Sequence, residues 1–137
     1  MPPAAAEPTE VCPGCGAVLV PVEEPALRPG ATASCARLFE VTLHGVRDEP
    51  DAASAAVVRL ADAAYDAQHP APGDPDRLRN ALTVLGATPD GTHPPTAWRT
   101  TIADVAADLD VIDLAVLVEA WADAVAEDWT AVRAPQR

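Results

Sequence analysis

A short cysteine motif near the N-terminus is the clearest candidate for chemistry in this chain. The segment Cys12–Gly16 reads CPGCG, in which proline fixes one dihedral angle and glycine permits a tight reversal. Such a turn directs two thiolates toward one tetrahedral metal ion. The same C-x-x-C spacing serves thiol–disulfide exchange, but there the motif begins a helix within a β-α-β unit. Here the segment Ala17–Val22 (AVLVPV) follows, which predicts a short strand or extended arm, so we favour metal binding over redox chemistry.

A third cysteine supplies a further thiolate for the same metal. Cys35 follows Ser34, which we expect to cap the first helix, and a helix N-terminus favours the ionised thiol. The chain has three cysteines, so a fourth ligand must be His44, His69 or His93, a carboxylate or water. Three thiolates favour Zn²⁺ over magnesium or calcium, and three cysteines with one histidine usually form a closed structural zinc site.

His69 is the preferred fourth ligand because Pro70 stops the second helix directly after it and fixes its position. His44 lies on the same predicted helix as Cys35, about 13 Å further along its axis, which is too far for one metal ion. His93 lies on a predicted loop and remains an alternative. The predicted metal ligands are therefore Cys12, Cys15, Cys35 and His69.

Composition excludes several classes of function. The chain has 137 residues, is 49% apolar but only 4% aromatic, and carries a net charge of -12, so we expect one domain with an alanine-rich core. All nine basic residues are arginine, which excludes lysine-dependent phosphate loops and Schiff-base enzymes. The acidic balance argues against nucleic acid as a partner. We find neither a signal peptide nor a membrane-length apolar run, so we expect a cytoplasmic protein with no membrane association.

Helical periodicity dominates the rest of the chain and predicts a mainly α fold of four or five helices with an N-terminal zinc-knuckle loop. We expect a flexible leader at 1–10, a single zinc-bound helical domain at 11–133 and a frayed tail at 134–137. Asp51 and Asp74 are predicted N-caps, and the longest helix is predicted over Ile112–Val132. A short helical turn is expected to start at Thr100 or Thr101.

Asp62, Tyr65 and His69 share one face of the predicted second helix, at spacings of three and four residues. Asp62 and Tyr65 are thus candidate catalytic residues, with the carboxylate orienting the histidine and the phenol donating a proton. The alternative, which we favour, is that Asp62 and Asp66 face water while Tyr65 fills the core. Trp98, in a turn-rich segment, is placed to edge a pocket.

Four segments together resemble an uncharacterised bacterial family, the domain of unknown function 5946. They are CPGCGA (Cys12–Ala17), SCARLFE (Ser34–Glu40), DAAYDAQHP (Asp62–Pro70) and WADAVAEDWTAVR (Trp121–Arg133). The resemblance implies that the conspicuous polar positions are the four predicted ligands, with Asp62, Tyr65 and Gln68 beside them. The family also has a histidine in its third helix, where this chain reads RNALTVLGA. A role that depends on that histidine is not expected here.

The family name carries no activity, so the function rests on the residues. Our first hypothesis is a zinc-stabilised binding or accessory module that docks a protein partner or small-molecule ligand. The alternative is a zinc-dependent small-molecule enzyme, for tailoring or hydrolysis, with water at an open metal position. Redox switching through Cys12 and Cys15 ranks third.

Overall fold

Five helices and a two-stranded hairpin make up the regular structure of the described residues. The computed structural model describes residues 8–25, 28, 30–71, 73–87, 94–95 and 97–131. The strands are β1 (Glu10–Val11) and β2 (Val18–Leu19); the helices are α1 (Ala33–Arg47), α2 (Ala52–Gln68), α3 (Pro75–Leu85), α4 (Ile102–Ala107) and α5 (Leu114–Ala131). The predicted mainly α fold is confirmed. Residues 1–7, which belong to the predicted leader, lie outside the described residues. So do residues 134–137, the predicted frayed tail.

The hairpin encloses the CPGCG motif. β1 and β2 pair in antiparallel fashion, with Glu10 opposite Leu19 and Val11 opposite Val18, so Glu10, in the predicted leader, belongs to a strand. The turn closes when the Gly16 N–H donates to the Cys12 carbonyl at 2.8 Å. Gly16 has a φ of 82°, a left-handed conformation that suits glycine. The segment is therefore a knuckle at the tip of a hairpin.

The first helix begins two residues earlier than a cap at Ser34 would place it, so the prediction that Ser34 caps α1 is wrong. Thr32 is the N-cap, and its hydroxyl accepts a hydrogen bond from the Cys35 N–H at 3.2 Å. Ser34 lies within the first turn, where its hydroxyl donates to the Glu10 carboxylate at 2.6 Å. A side chain already bonded to β1 joins the helix to the hairpin instead of capping it.

The other helix boundaries follow from local signals that the sequence carries. Asp51 and Asp74 cap α2 and α3 as predicted, each through its carboxylate. Thr101 caps α4 in a reciprocal capping box with Asp104. The fifth helix starts at Leu114, two residues after the predicted start at Ile112, because residues 108–113 form a turn first.

Helix α2 lies at the centre of the core, where it packs against α1, α3 and α5. Its C-terminal end is fixed by two tryptophans of α5. The Trp121 Nε1–H donates to the Gln68 side chain at 3.1 Å, and the Trp129 Nε1–H donates to the Ala67 carbonyl at 3.0 Å. Both indoles are fully buried. Among the described residues, no helix combines the length and apolar character that crossing a membrane requires.

Candidate metal centre

Three elements bring the four predicted ligands to one place. The knuckle supplies Cys12 and Cys15, the first turn of α1 supplies Cys35, and the C-cap of α2 supplies His69. One donor atom from each residue lies within 4.8 Å of every other. All four side chains are buried. The arrangement is a possible metal site built from segments that are far apart in the chain.

The spacing of the donor atoms fits a single tetrahedral ion. The Sγ atoms of Cys15 and Cys35 are 3.7 Å apart, and the Sγ of Cys35 lies 3.6 Å from Nε2 of His69. Ligands held about 2.3 Å (sulfur) and about 2.0 Å (nitrogen) from one ion would be separated by about 3.8 Å and about 3.5 Å. The three cysteines are free, since a disulfide would need about 2.05 Å between sulfurs.

The ring of His69 is oriented for ligation by a backbone group. Its Nδ1–H donates to the Tyr65 carbonyl at 2.6 Å, one turn earlier on α2. This bond fixes the tautomer and leaves the Nε2 lone pair facing Cys35. The sequence hypothesis gave this orienting role to the Asp62 carboxylate, but Asp62 instead accepts two hydrogen bonds from Arg47, at 2.6 and 3.1 Å.

Tyr65 lies in the core beside the cysteines. Its hydroxyl donates to the Sγ of Cys35 at 3.3 Å. The ring is stacked between Phe39, with centroids 4.1 Å apart, and His69, with centroids 4.0 Å apart. Burial raises the pKa of the Tyr65 phenol, so the group stays protonated and remains a donor. Tyr65 thus fills the core, as the favoured interpretation of the sequence predicts, and its hydroxyl points at the Cys35 thiol.

Charged side chains cover the outer side of this aromatic stack. The Arg28 guanidinium lies 4.8 Å from the Phe39 ring centroid and 3.2 Å from Glu40. Arg47 also lies over Phe39, and the hydrogen bonds that it donates to Asp62 raise the pKa of its guanidinium. Asp62 is therefore held in an ion-pair network between α1 and α2. The Asp62 carboxylate therefore binds Arg47 and does not contact His69.

Three thiols in such close contact cannot all ionise without a neighbouring cation. Hydrogen bonding with Cys15 lowers the pKa of the Cys12 thiol. Hydrogen bonding with Cys12 raises the pKa of Cys15, and it also raises the pKa of Cys35 to about 12. One thiolate is thus stabilised at the expense of the other two. A divalent cation supplies the charge that would allow all three to bind as thiolates.

Gly14 is required where the knuckle meets the end of α2. A Cβ atom at this position would lie 2.5 Å from Cδ2 of His69 and 2.7 Å from the Gln68 carbonyl oxygen. The Gly14 carbonyl accepts a hydrogen bond from Nε1 of Trp98 at 2.8 Å. Trp98 also lines a surface depression of about 460 Å³ beside the knuckle. The prediction that Trp98 lies at the edge of a pocket is therefore confirmed. Neither the close packing of Gly14 nor the Trp98–Gly14 hydrogen bond has a sequence signal, because both depend on contacts between distant segments.

Of the two alternative histidines, only His44 is described, and it does not join the four donors. The His44 side chain is 81% exposed, and its Nε2 lies 3.9 Å from a carboxylate oxygen of Asp48, the C-cap of α1. His93 lies outside the described residues. Gln68, which the family resemblance placed beside the site, is buried and donates to the Thr100 carbonyl at 2.7 Å. This bond joins the segment before α4 to the residue that precedes His69.

These features define a class: a small helical protein with a possible metal site of three cysteines and one histidine. The chain matches the model of DUF5946, described as a family of unknown function, over residues 10–92 and 86–130. It belongs to that family, as the resemblance of its motifs implied. No curated protein matches the chain, and no solved structure does.

Proposed function

We propose that this protein binds one Zn²⁺ ion through Cys12, Cys15, Cys35 and His69 and that the ion is structural. The observation that carries the proposal is the convergence of one imidazole and three thiol groups within 4.8 Å. Zinc is the metal of choice because thiolates are soft ligands, because it accepts four-coordinate tetrahedral geometry and because it has no redox chemistry of its own. The ion supplies the cation that three adjacent thiolates need.

A structural role is supported by the enclosure of the donors. Their residues are 4% exposed or less, which leaves little room for the exchangeable water of a catalytic zinc. The ion joins the hairpin, α1 and α2; the Ser34–Glu10 hydrogen bond is a further link between the hairpin and α1. Binding of structural zinc contributes on the order of 10 kcal/mol to folding. That contribution offsets the small area that an alanine-rich core buries.

We assign the module a binding or accessory role because its two candidate catalytic side chains, Tyr65 and Asp62, have structural roles. Tyr65 is fully buried and Asp62 is paired with Arg47. A zinc-dependent small-molecule enzyme, the alternative hypothesis, would need an open position beside one of these groups. The net charge of -12 favours a protein or small-molecule partner over nucleic acid or an anionic membrane surface. Free thiols favour the reducing cytoplasm.

Metal analysis with paired histidine variants tests the proposal. Protein purified without added metal is assayed for zinc per chain, and its reactive thiols are counted before and after denaturation. We expect one zinc per chain, no reactive thiol before denaturation and three after it. His69→Ala should lose tight zinc binding, whereas His44→Ala is the matched control because His44 is exposed. Unchanged zinc content and affinity in His69→Ala would overturn the ligand assignment.

A further inference from the structure

A group of apolar side chains remains exposed at the turn between α4 and α5. Leu109, Val111, Ile112 and Val116 all lie on the surface, with Val111 77% exposed and Val116 57% exposed. We call these four residues the α4–α5 patch. Burial of such side chains is favourable, so leaving several of them in water destabilises the molecule. A cluster of this kind marks an interaction surface when acidic or basic groups surround it.

The backbone of this turn is held in place by hydrogen bonds. The Asp108 carbonyl accepts from the N–H of Val111 at 3.1 Å and from the N–H of Ile112 at 2.9 Å. Asp113 directly precedes α5, and its carbonyl accepts from the Leu117 N–H at 3.1 Å. The apolar side chains are therefore presented from an ordered surface. A partner that binds there would pay little to order the loop.

The charged residues within 108–119, which include the patch, are all acidic. Asp108, Asp110 and Asp113 alternate with the apolar residues and are exposed, and Glu119 follows on α5. None of these four carboxylates forms an ion pair with another described residue. A ligand with apolar side chains flanked by positive charge would satisfy both features of the surface.

We infer that the α4–α5 patch docks a basic amphipathic helix of a partner protein. Such a helix places its apolar stripe on Val111, Ile112 and Val116 and its lysines or arginines beside the aspartates, a recognised mode of peptide binding. This inference rests on the proposed binding role, which it extends by naming the surface and the partner's chemistry.

The charge of the protein argues against a second copy as the occupant. Each chain carries a net charge of -12, so two copies repel each other. A basic partner is attracted to the same surface.

A second exposed apolar group, on the hairpin, serves as the internal comparison. Val18 and Val20 are about half exposed, but the neighbouring Arg37 forms an ion pair with Glu24. Charges of both signs near these valines give no preference for a basic partner. Substitutions at Val18 and Val20 therefore remove a similar apolar area without touching the acidic surface.

The test uses a named probe with the full-length, zinc-loaded protein. A synthetic helix with leucines on one face and lysines on the other is titrated into labelled protein, and amide spectra and fluorescence anisotropy are recorded. We expect shifts centred on residues 108–119 and affinity that falls with salt. The Val111→Ser/Ile112→Ser variant should bind at least about tenfold more weakly, since central apolar contacts dominate such interfaces. The Val18→Ser/Val20→Ser variant should bind like the wild type, and a glutamate version of the probe should not bind.

Several results would overturn the inference. One is equal loss of affinity in the two serine variants, and another is amide shifts confined to other surfaces. A concentration-dependent dimer that Val111→Ser/Ile112→Ser abolishes would assign the patch to a second copy. The outcome is separable from that of the zinc proposal. Patch-dependent binding by a protein that contains no zinc would contradict only the metal assignment, whereas a zinc-loaded protein without patch-dependent binding would contradict only the docking surface.

Discussion

The hydroxyl of Tyr65 donates to the Sγ of Cys35 across 3.3 Å, inside a part of the protein from which solvent is excluded. The same tyrosine supplies the carbonyl that accepts from Nδ1 of His69. One residue therefore orients two of the four donors, one through its side chain and one through its backbone. Only the side-chain contribution can be removed by substitution, which makes it possible to measure separately.

Tyr65→Phe should weaken zinc binding without abolishing it. The variant keeps the ring stacked between Phe39 and His69 and keeps the Tyr65 carbonyl, but it removes the donor to Cys35. We expect one zinc per chain and an affinity about 10–100-fold lower, the usual cost of losing an outer-shell partner. Competition against a chromophoric chelator measures the change. Wild-type affinity in this variant would show that the hydrogen bond contributes nothing to the site.

Gly14→Ala should destabilise the protein, whereas Gly45→Ala should not. The added methyl at position 14 would meet His69 and the α2 backbone, and overpacking of this kind costs about 1–3 kcal/mol. Gly45 lies within α1 with nothing within 4 Å of an added Cβ, so alanine should stabilise the helix by about 0.5–1 kcal/mol. Urea unfolding of both zinc-loaded variants measures the two effects. The prediction fails if both substitutions change the free energy of unfolding in the same direction.

The four donor residues could be predicted from the sequence, whereas the groups that orient them could not. The CPGCG motif, a single later cysteine and a histidine next to proline identify four donors through their side-chain chemistry alone. The structure brings those four together. The groups that orient them were not predictable in the same way, because a backbone carbonyl carries no sequence signature. Thus the Tyr65 carbonyl, not the Asp62 carboxylate, meets His69.

Helix boundaries show the same distinction between local and distant causes. Asp51 and Asp74 were predictable as caps because each acts on a neighbour in sequence. Thr32 and Ser34 are both good caps, and what separates them is the bond from Ser34 to Glu10 on the hairpin. Similarly, the bond from Trp98 to Gly14 links residues 84 positions apart. Periodicity and capping rules contain no information about such contacts.

Removal of the metal should unfold the protein or bring it close to unfolding. A loss of about 10 kcal/mol is comparable with the whole stability of a typical domain, about 5–15 kcal/mol. We expect a chelator such as phenanthroline to abolish most of the helical circular dichroism signal and added zinc to restore it. Magnesium, added in place of zinc, should not restore the signal because it avoids thiolate ligands. Retention of the full signal and an unchanged Tm after verified zinc removal would contradict a structural role.

X-ray absorption at the zinc edge tests the central claim most directly, because it reports the atoms bound to the metal. The protein is purified without added metal and measured at neutral pH. The account predicts three sulfur ligands at about 2.3 Å and one imidazole nitrogen at about 2.0 Å, with no water in the coordination shell. Absence of bound zinc, or a shell in which oxygen replaces the imidazole or a thiolate, would contradict it.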